Sequence, residues 1–195
     1  MELERIRQIR QDVANGWDIK QAREFRRQKN VYSKIFVGEK KSFLVLNRKL
    51  AGTETLNVPY VVISITDCDK QDAKLARSSN CKGVLKLKFS DADEPQSNVR
   101  LFTPKDARKI LRFVEEHSTD SECIVVHCEA GLSRSPGVAS ALSVLTNGER
   151  QDDFFFKHYR PNSHVRRVIL DEAEKLMEPS ENSISTSEPL GQTQD

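Results

Sequence analysis

The stretch Ile124-Val125-Val126-His127-Cys128-Glu129-Ala130-Gly131-Leu132-Ser133-Arg134-Ser135-Pro136-Gly137 decides how the rest of the chain is read. A near-continuous apolar run ends in a cysteine, an arginine follows six residues later, and a helix start lies directly behind it. A strand apolar on both sides belongs in the middle of a covered sheet, and ligands bind at the carboxyl edge of such α/β sheets. A short loop curling from that edge into a helix N-terminus aims successive N–H groups into one concavity, which suits a dianion such as phosphate or sulfate. Gly131 supplies the backbone freedom the curl needs, and Arg134 a planar fork able to bond two oxygens at once. The backbone of Glu129, Ala130, Gly131, Leu132, Ser133 and Arg134 is therefore read as an anion cup with Cys128 at its focus.

An ordinary thiol is only about 3 % thiolate at neutral pH. A helix dipole contributes at most about 2 kcal/mol toward an anion, so a nucleophilic sulfur here also needs the loop amides and the guanidinium. Ser133 or Ser135 can donate to the sulfur, and Ser135 is well placed to stabilise it as a leaving thiolate. His127 is read as orienting the loop through a hydrogen bond, since a thiolate needs no base.

Working outward, Ser42 to Asn47, Tyr60 to Thr66, Val84 to Phe89 and Cys123 to His127 read as strands, the second and fourth covered on both faces. Thr103-Pro104-Lys105-Asp106 is a helix start with cap, first-turn proline and a reciprocating acid; Ala107, Ile110, Leu111 and Val114 mark its buried face up to about His117. Ser135 to Leu145 forms a second helix stopped by Asn147-Gly148, and Asn162 caps a third striped by Val165, Ile169, Ala173 and Leu176. This alternation predicts an α/β fold: a central, largely parallel sheet of four to five strands flanked by helices. Phe154-Phe155-Phe156 reads as core packing.

The 195 residues suffice for one domain with ragged ends, here 31–177. In residues 1–30, Leu3, Ile6, Ile9, Val13 and Trp17 recur at helical spacing, which predicts an amphipathic extension docking on its own domain or a partner. Residues 178–195 carry four acids and no base and read as a disordered tail. A net charge of +2 gives no whole-chain argument for nucleic-acid binding. The longest nearly apolar stretch, Val58 to Ile65, is eight residues against about 20 for a bilayer crossing, and no secretory signal opens the sequence, so a cytoplasmic protein without a membrane partner is expected. Cys68, Cys81, Cys123 and Cys128 lack C-x-x-C pairing and read as buried thiols; with His117, His158 and His164 scattered, no metal or cofactor is expected.

The loop resembles the H-C-x-x-G-x-x-R-[ST] signature of the cysteine-dependent protein tyrosine phosphatases, and its H-C-x-A-G-x-S-R-S form is similar to the dual-specificity branch; the resemblance spans roughly Tyr60 to Leu176. It implies that Cys128 forms a cysteinyl-phosphate while Arg134 and the loop amides hold the equatorial oxygens, and that an aspartate on the loop before the preceding helix protonates the leaving group. Asp91 and Asp93 occupy that place, both also good turn residues; Asp91 is preferred because it comes first after the strand, 37 positions before Cys128. Tyr159-Arg160-Pro161-Asn162 resembles the Arg-Pro stretch in which an asparagine fixes neighbouring loops, a turn and helix cap being the simpler reading. Some members protect an oxidised nucleophile with a second cysteine, a role the resemblance gives Cys68, against a plain buried residue.

Glu129 and Leu132 stand where a phosphoinositide-directed relative would carry lysines, and no tyrosine-containing recognition loop is visible, so the expected substrate is a phosphorylated protein, phosphotyrosine with phosphoserine or phosphothreonine admitted. The alternatives are a phosphoinositide phosphatase, an RNA 5′-phosphatase using Arg100, Lys105, Arg108, Lys109, Arg112, Arg160, Arg166 and Arg167 as basic surface, and a phospho-binding protein without turnover.

Overall fold

A computed structural model of the chain describes residues 40–147 and 152–176. The expected N-terminal extension and acidic tail lie outside these residues. The elements are β1 (Ser42–Asn47), α1 (Arg48–Ala51), β2 (Tyr60–Thr66), β3 (Cys81–Lys88), α2 (Pro104–Glu116), β4 (Cys123–Cys128), α3 (Arg134–Asn147), α4 (Asp152–His158) and α5 (Ser163–Lys175). The strands form one parallel sheet in the order β1-β4-β2-β3, at the lower end of the expected strand number.

The apolar runs Tyr60–Thr66 and Cys123–Cys128 are buried throughout because they are the two central strands, with neighbours at both sides. Alternate residues then sort to the two faces. Val61, Ile63, Ile65, Ile124 and Val126 meet α2, α3, α4 and α5 in the main core, while Tyr60, Val62, Cys123 and Val125 join Leu56 and Leu75 in a smaller cluster opposite. The edge strand β3 alternates instead, with Lys82, Lys86 and Lys88 exposed, which protects an open edge.

Boundaries depart from the sequence reading in instructive ways. β3 starts at Cys81 rather than Val84 and ends at Lys88, because its ladder with β2 recruits Cys81 and Gly83 opposite Tyr60 and Val61. β4 runs one residue further, so Cys128 is its last residue. α3 starts at Arg134 and is buried almost all round, which its Gly137, Ala139, Ser140, Ala141 and Ser143 permit by letting neighbours approach closely. Two short helices, α1 and α4, lacked a readable period. Phe155 is buried, but Phe154 and Phe156 are exposed, a correction that follows from each standing about 100° around the helix from the one face that Phe155 buries. The cysteines are also corrected: Cys123 and Cys128 are buried, Cys81 is half-buried, and Cys68, just past the end of β2, is exposed.

All four strands run the same way, and Asn47 lies opposite Cys128 and Thr66 opposite Lys88. Their carboxyl ends therefore share one edge. The segments that leave it, 48–59, 67–80, 89–103 and 129–133, meet there with the end of β4, the start of α3 and Asn162 before α5 to form the candidate site.

Candidate active site

Cys128 ends β4 with its Sγ inside the curl of residues 129–133, where it accepts hydrogen bonds from Gly131 N at 3.2 Å and from Ser135 Oγ at 3.1 Å. Of the two serines considered, Ser135 serves the sulfur; Ser133 Oγ donates instead to Asp91 Oδ1 at 2.7 Å. The loop's carbonyls are turned outward. Glu129 O accepts from Arg48 N, Leu132 O from Arg160 N, and Ser133 O from Asn162 N and Gly137 N. In a trans peptide the N–H points opposite the carbonyl, so the amides of Ala130, Ser133 and Arg134 face the inside of the curl. Gly131 has φ +70°, and a Cβ there would stand 2.9 Å from Leu46 C and O and from Asn47 N. The loop thus needs glycine for its hand and also for its contact with the end of β1.

Arg134, only 4 % exposed, opens α3. Its Nη1 donates to Asp67 Oδ1 at 2.6 Å and to Phe89 O at 2.8 Å, while its Nε is buried without a protein partner. A buried donor left open costs about 1–3 kcal/mol unless something accepts from it, and an anion in the curl would do so.

His127 is fully buried and bonds through Nε2 to Ser64 Oγ at 2.8 Å, tying β4 to β2 one residue before the nucleophile. Burial pushes its pKa down, more than the Cys128 main chain and Glu129 raise it, so the ring is held neutral. The expected hydrogen bond thus runs to a neighbouring strand rather than to a loop side chain, and sequence reading missed Ser64 because the pairing depends on register.

The two acid candidates separate clearly. Asp91 Oδ1 is held by Ser133 Oγ and, at 3.0 Å, by Asn162 Nδ2, which places this carboxyl on the rim of the loop. Asp93 Oδ1 accepts from Ser163 Oγ and His164 N at the start of α5. Asn162 combines the two readings made of it: its Oδ1 caps α5 through Val165 N, its Nδ2 reaches Asp91, and its own N–H braces Ser133 O.

A ring of charge that the sequence reading did not find surrounds the loop. Asp67 pairs with Arg134 and, at 3.0 Å, with Lys70; Lys70 reaches Glu129 at 3.4 Å, and Glu129 binds Arg48 at 2.7 Å. Burial raises the carboxyl of Asp67, yet Lys70 and Arg134 outweigh it and hold the group below its ordinary range; Arg48 and Lys70 do the same for Glu129. The only signal in the sequence was that Asp67 and Lys70 follow a central strand at its ligand-bearing end. Leu132 projects from the rim, 56 % exposed. Cys68 is free, and of the basic residues considered as an RNA surface, Arg100, Arg108 and Arg166 are engaged with Asp106, Glu172 and Asp152. Among the described residues no cluster of three or more His, Cys, Asp or Glu is arranged to hold a metal, and no helix is long and apolar enough to cross a membrane.

A parallel four-stranded α/β sheet thus carries an amide-lined curl between its central strand and a buried helix, with cysteine at the floor and arginine at the far end. No protein-family model matches the chain, and no curated protein matches it. Similar solved structures include the human tyrosine phosphatase-like serine/threonine/tyrosine-interacting protein, with 17 % identity and a TM-score of 0.47 over 69 % of this chain and 92 % of that one. PTPMT1 in complex with PI(5)P gives 16 % and 0.43 over 69 % and 92 %, and Tk-PTP in the active form 18 % and 0.44 over 72 % and 95 %.

Proposed function

We propose that this chain hydrolyses phosphate monoesters on proteins, phosphotyrosine foremost, through a cysteinyl-phosphate. One observation carries the reading: a sulfur at the floor of the curl accepts from Gly131 N and Ser135 Oγ while the buried Arg134 Nε beside it has no partner. These donors stabilise an anionic sulfur and an oxyanion together. Sγ attacks phosphorus, the bond from phosphorus to the leaving oxygen breaks, and the carboxyl of Asp91 gives that oxygen its proton. Oδ1 of Asp91 is already held by Ser133 and Asn162, leaving Oδ2 to meet the leaving group. In the second step the Asp91 carboxylate takes a proton from water as the water oxygen bonds to phosphorus, the S–P bond breaks, and Ser135 Oγ–H stabilises the departing thiolate. Asp93, engaged at the start of α5, has no part in this scheme.

The rim supports a protein substrate over a lipid with further phosphates. Glu129 engages Arg48 and Lys70, and Leu132 presents an apolar surface to an aryl group. The test is hydrolysis of a phosphotyrosine peptide, a phosphothreonine peptide, triphosphorylated RNA and a phosphoinositide by wild type, Cys128→Ser and Asp91→Asn. Phosphotyrosine turnover that disappears in Cys128→Ser and falls about 10²- to 10⁴-fold in Asp91→Asn is expected. Preferential turnover of lipid or RNA, or full activity in Asp91→Asn, would remove the substrate or the acid from this account.

A further inference from the structure

A carboxylate is an unexpected first residue for a loop that gathers amides and a guanidinium around an anion, and Glu129 stands directly after Cys128. Arg48, the first residue of α1, meets it at two points. Its N–H donates to Glu129 O at 3.2 Å, and its Nη1 donates to Glu129 Oε1 at 2.7 Å. The other arm of the same guanidinium, Nη2, donates to Gln71 O at 2.7 Å and to Asp72 O at 3.2 Å. One side chain therefore joins three of the segments that leave the carboxyl edge of the sheet, and it draws the Glu129 carboxylate toward α1. Lys70 adds a longer contact to Oε2 at 3.4 Å and shares its charge with Asp67. Both members of the Arg48–Glu129 pair are less than a third exposed, so solvent screens the pair only in part. Burial raises the Glu129 carboxyl, yet Arg48, and Lys70 after it, outweigh burial and keep the group ionised at neutral pH.

We infer that Arg48 is a positioning residue for the anion cup: it neutralises and holds aside the Glu129 carboxylate, which would otherwise repel a phosphoryl group entering the loop. The inference rests on reading the loop as a phosphate site. The effect is one of charge and so has a sign. Removing Arg48 alone leaves a partly buried carboxylate, with only the shared Lys70, beside an incoming dianion. Removing the carboxylate's charge as well takes that repulsion away. A loss of shape behaves otherwise, because Glu129→Gln restores none of the contacts that Arg48 makes to Gln71 O and Asp72 O.

The test compares the full chain with Arg48→Ala, Arg48→Lys, and Arg48→Ala joined to Glu129→Gln. Tungstate protection of Cys128 against iodoacetamide, followed by peptide mapping, reads capture of a dianion without turnover, and hydrolysis of para-nitrophenyl phosphate reads kcat and KM. Arg48→Ala is expected to need about 10-fold more tungstate for half-protection and to raise KM by a similar factor, with kcat falling by less than about 3-fold, since the repulsion opposes bound substrate and transition state alike. Adding Glu129→Gln should bring half-protection and KM back to within about 3-fold of wild type. Arg48→Lys, which keeps a cation for Glu129 without the fork, should lose less than Arg48→Ala. A defect in Arg48→Ala that Glu129→Gln deepens or leaves untouched would overturn the inference, as would capture within about 2-fold of wild type in Arg48→Ala itself. Were Arg48→Ala not to fold, a loss of about 10-fold in Arg48→Lys would overturn the inference and a smaller one would uphold it. Wild type that captures tungstate but hydrolyses nothing overturns the phosphatase reading and leaves the Arg48 comparison decisive; wild type that does neither overturns both.

Discussion

At Gly131 two separate constraints meet on one residue: a left-handed φ of +70°, and a main-chain contact that leaves no room for a Cβ against Leu46 and Asn47. Gly131→Ala should therefore lower stability by at least about 1–2 kcal/mol, measured by urea unfolding. It should also lower kcat by about 10²-fold, since the amide that reaches Cys128 Sγ moves with it. The need for glycine was legible because it sits inside a short local pattern, as were Cys128, Arg134 and Ser135. Asp67 and Ser64 were not, because their partners lie 67 and 63 positions away and only sheet register brings them together. Cys68 was misread as buried for a related reason: a sequence shows that a strand has ended but not which way the next residue turns.

At the scale of elements, Asn162 binds three segments together. It caps α5, braces the phosphate loop and holds the loop that carries Asp91, while Gly137 on α3 lies so close that a Cβ would come within 2.8 Å of Asn162 O. Two substitutions separate these duties. Asn162→Ala removes both cap and acid contact, so unfolding free energy should drop by about 1 kcal/mol along with kcat. Asn162→Asp keeps an acceptor for Val165 N but sets a buried carboxylate against Asp91, so kcat should fall further than in Asn162→Ala, with stability at least about 1 kcal/mol below wild type. Denaturant titration beside steady-state kinetics checks both. Helix starts such as Thr103, whose hydroxyl accepts from Asp106 N while Asp106 accepts from Thr103 N, were readable because capping is local chemistry. The early start of β3 was not, since a partner strand rather than its own composition extends it. α1 and α4, at four and seven residues, are too short to show a period and exist through their tertiary contacts.

For the molecule as a whole, the buried His127 and the paired carboxylates set the pH dependence on the acid side. His127 titrates below its ordinary value in the folded chain because burial disfavours the imidazolium, so as pH drops from about 6.5 toward the lowered folded value the unfolded chain binds the extra proton and stability falls. The carboxylates act in the same sense lower down: Asp67 and Glu129 are held down by their cations against burial, and Glu172 by Lys175 and then Arg108. Their stabilisation is complete above about pH 4.5 and is lost as pH falls through the folded values. The urea midpoint should therefore be flat from about pH 7 to 8.5, decline below about 6.5 and again below about 4.5, and decline above about pH 9, where the Cys123 thiol, pushed up to about 11 by burial, stays neutral while the unfolded chain ionises. His127→Gln should remove the first decline alone, at the expense of a lower midpoint at pH 7. This coupling was only half legible: the fold class and the central strands followed from apolar runs, but which charges the fold would bury depended on packing between distant segments.

The outer wall of the Cys128 loop rests on β1, which among the described residues has β4 as its sole neighbour in the sheet, and on the single turn of α1 behind it. Strands at a margin fray before those in the middle. If the proposed function holds, competence of the anion cup and global integrity are expected to be separate thermodynamic quantities: a brief peeling of the marginal strand would open the cup at a lower cost than unfolding the helix-covered core beneath it.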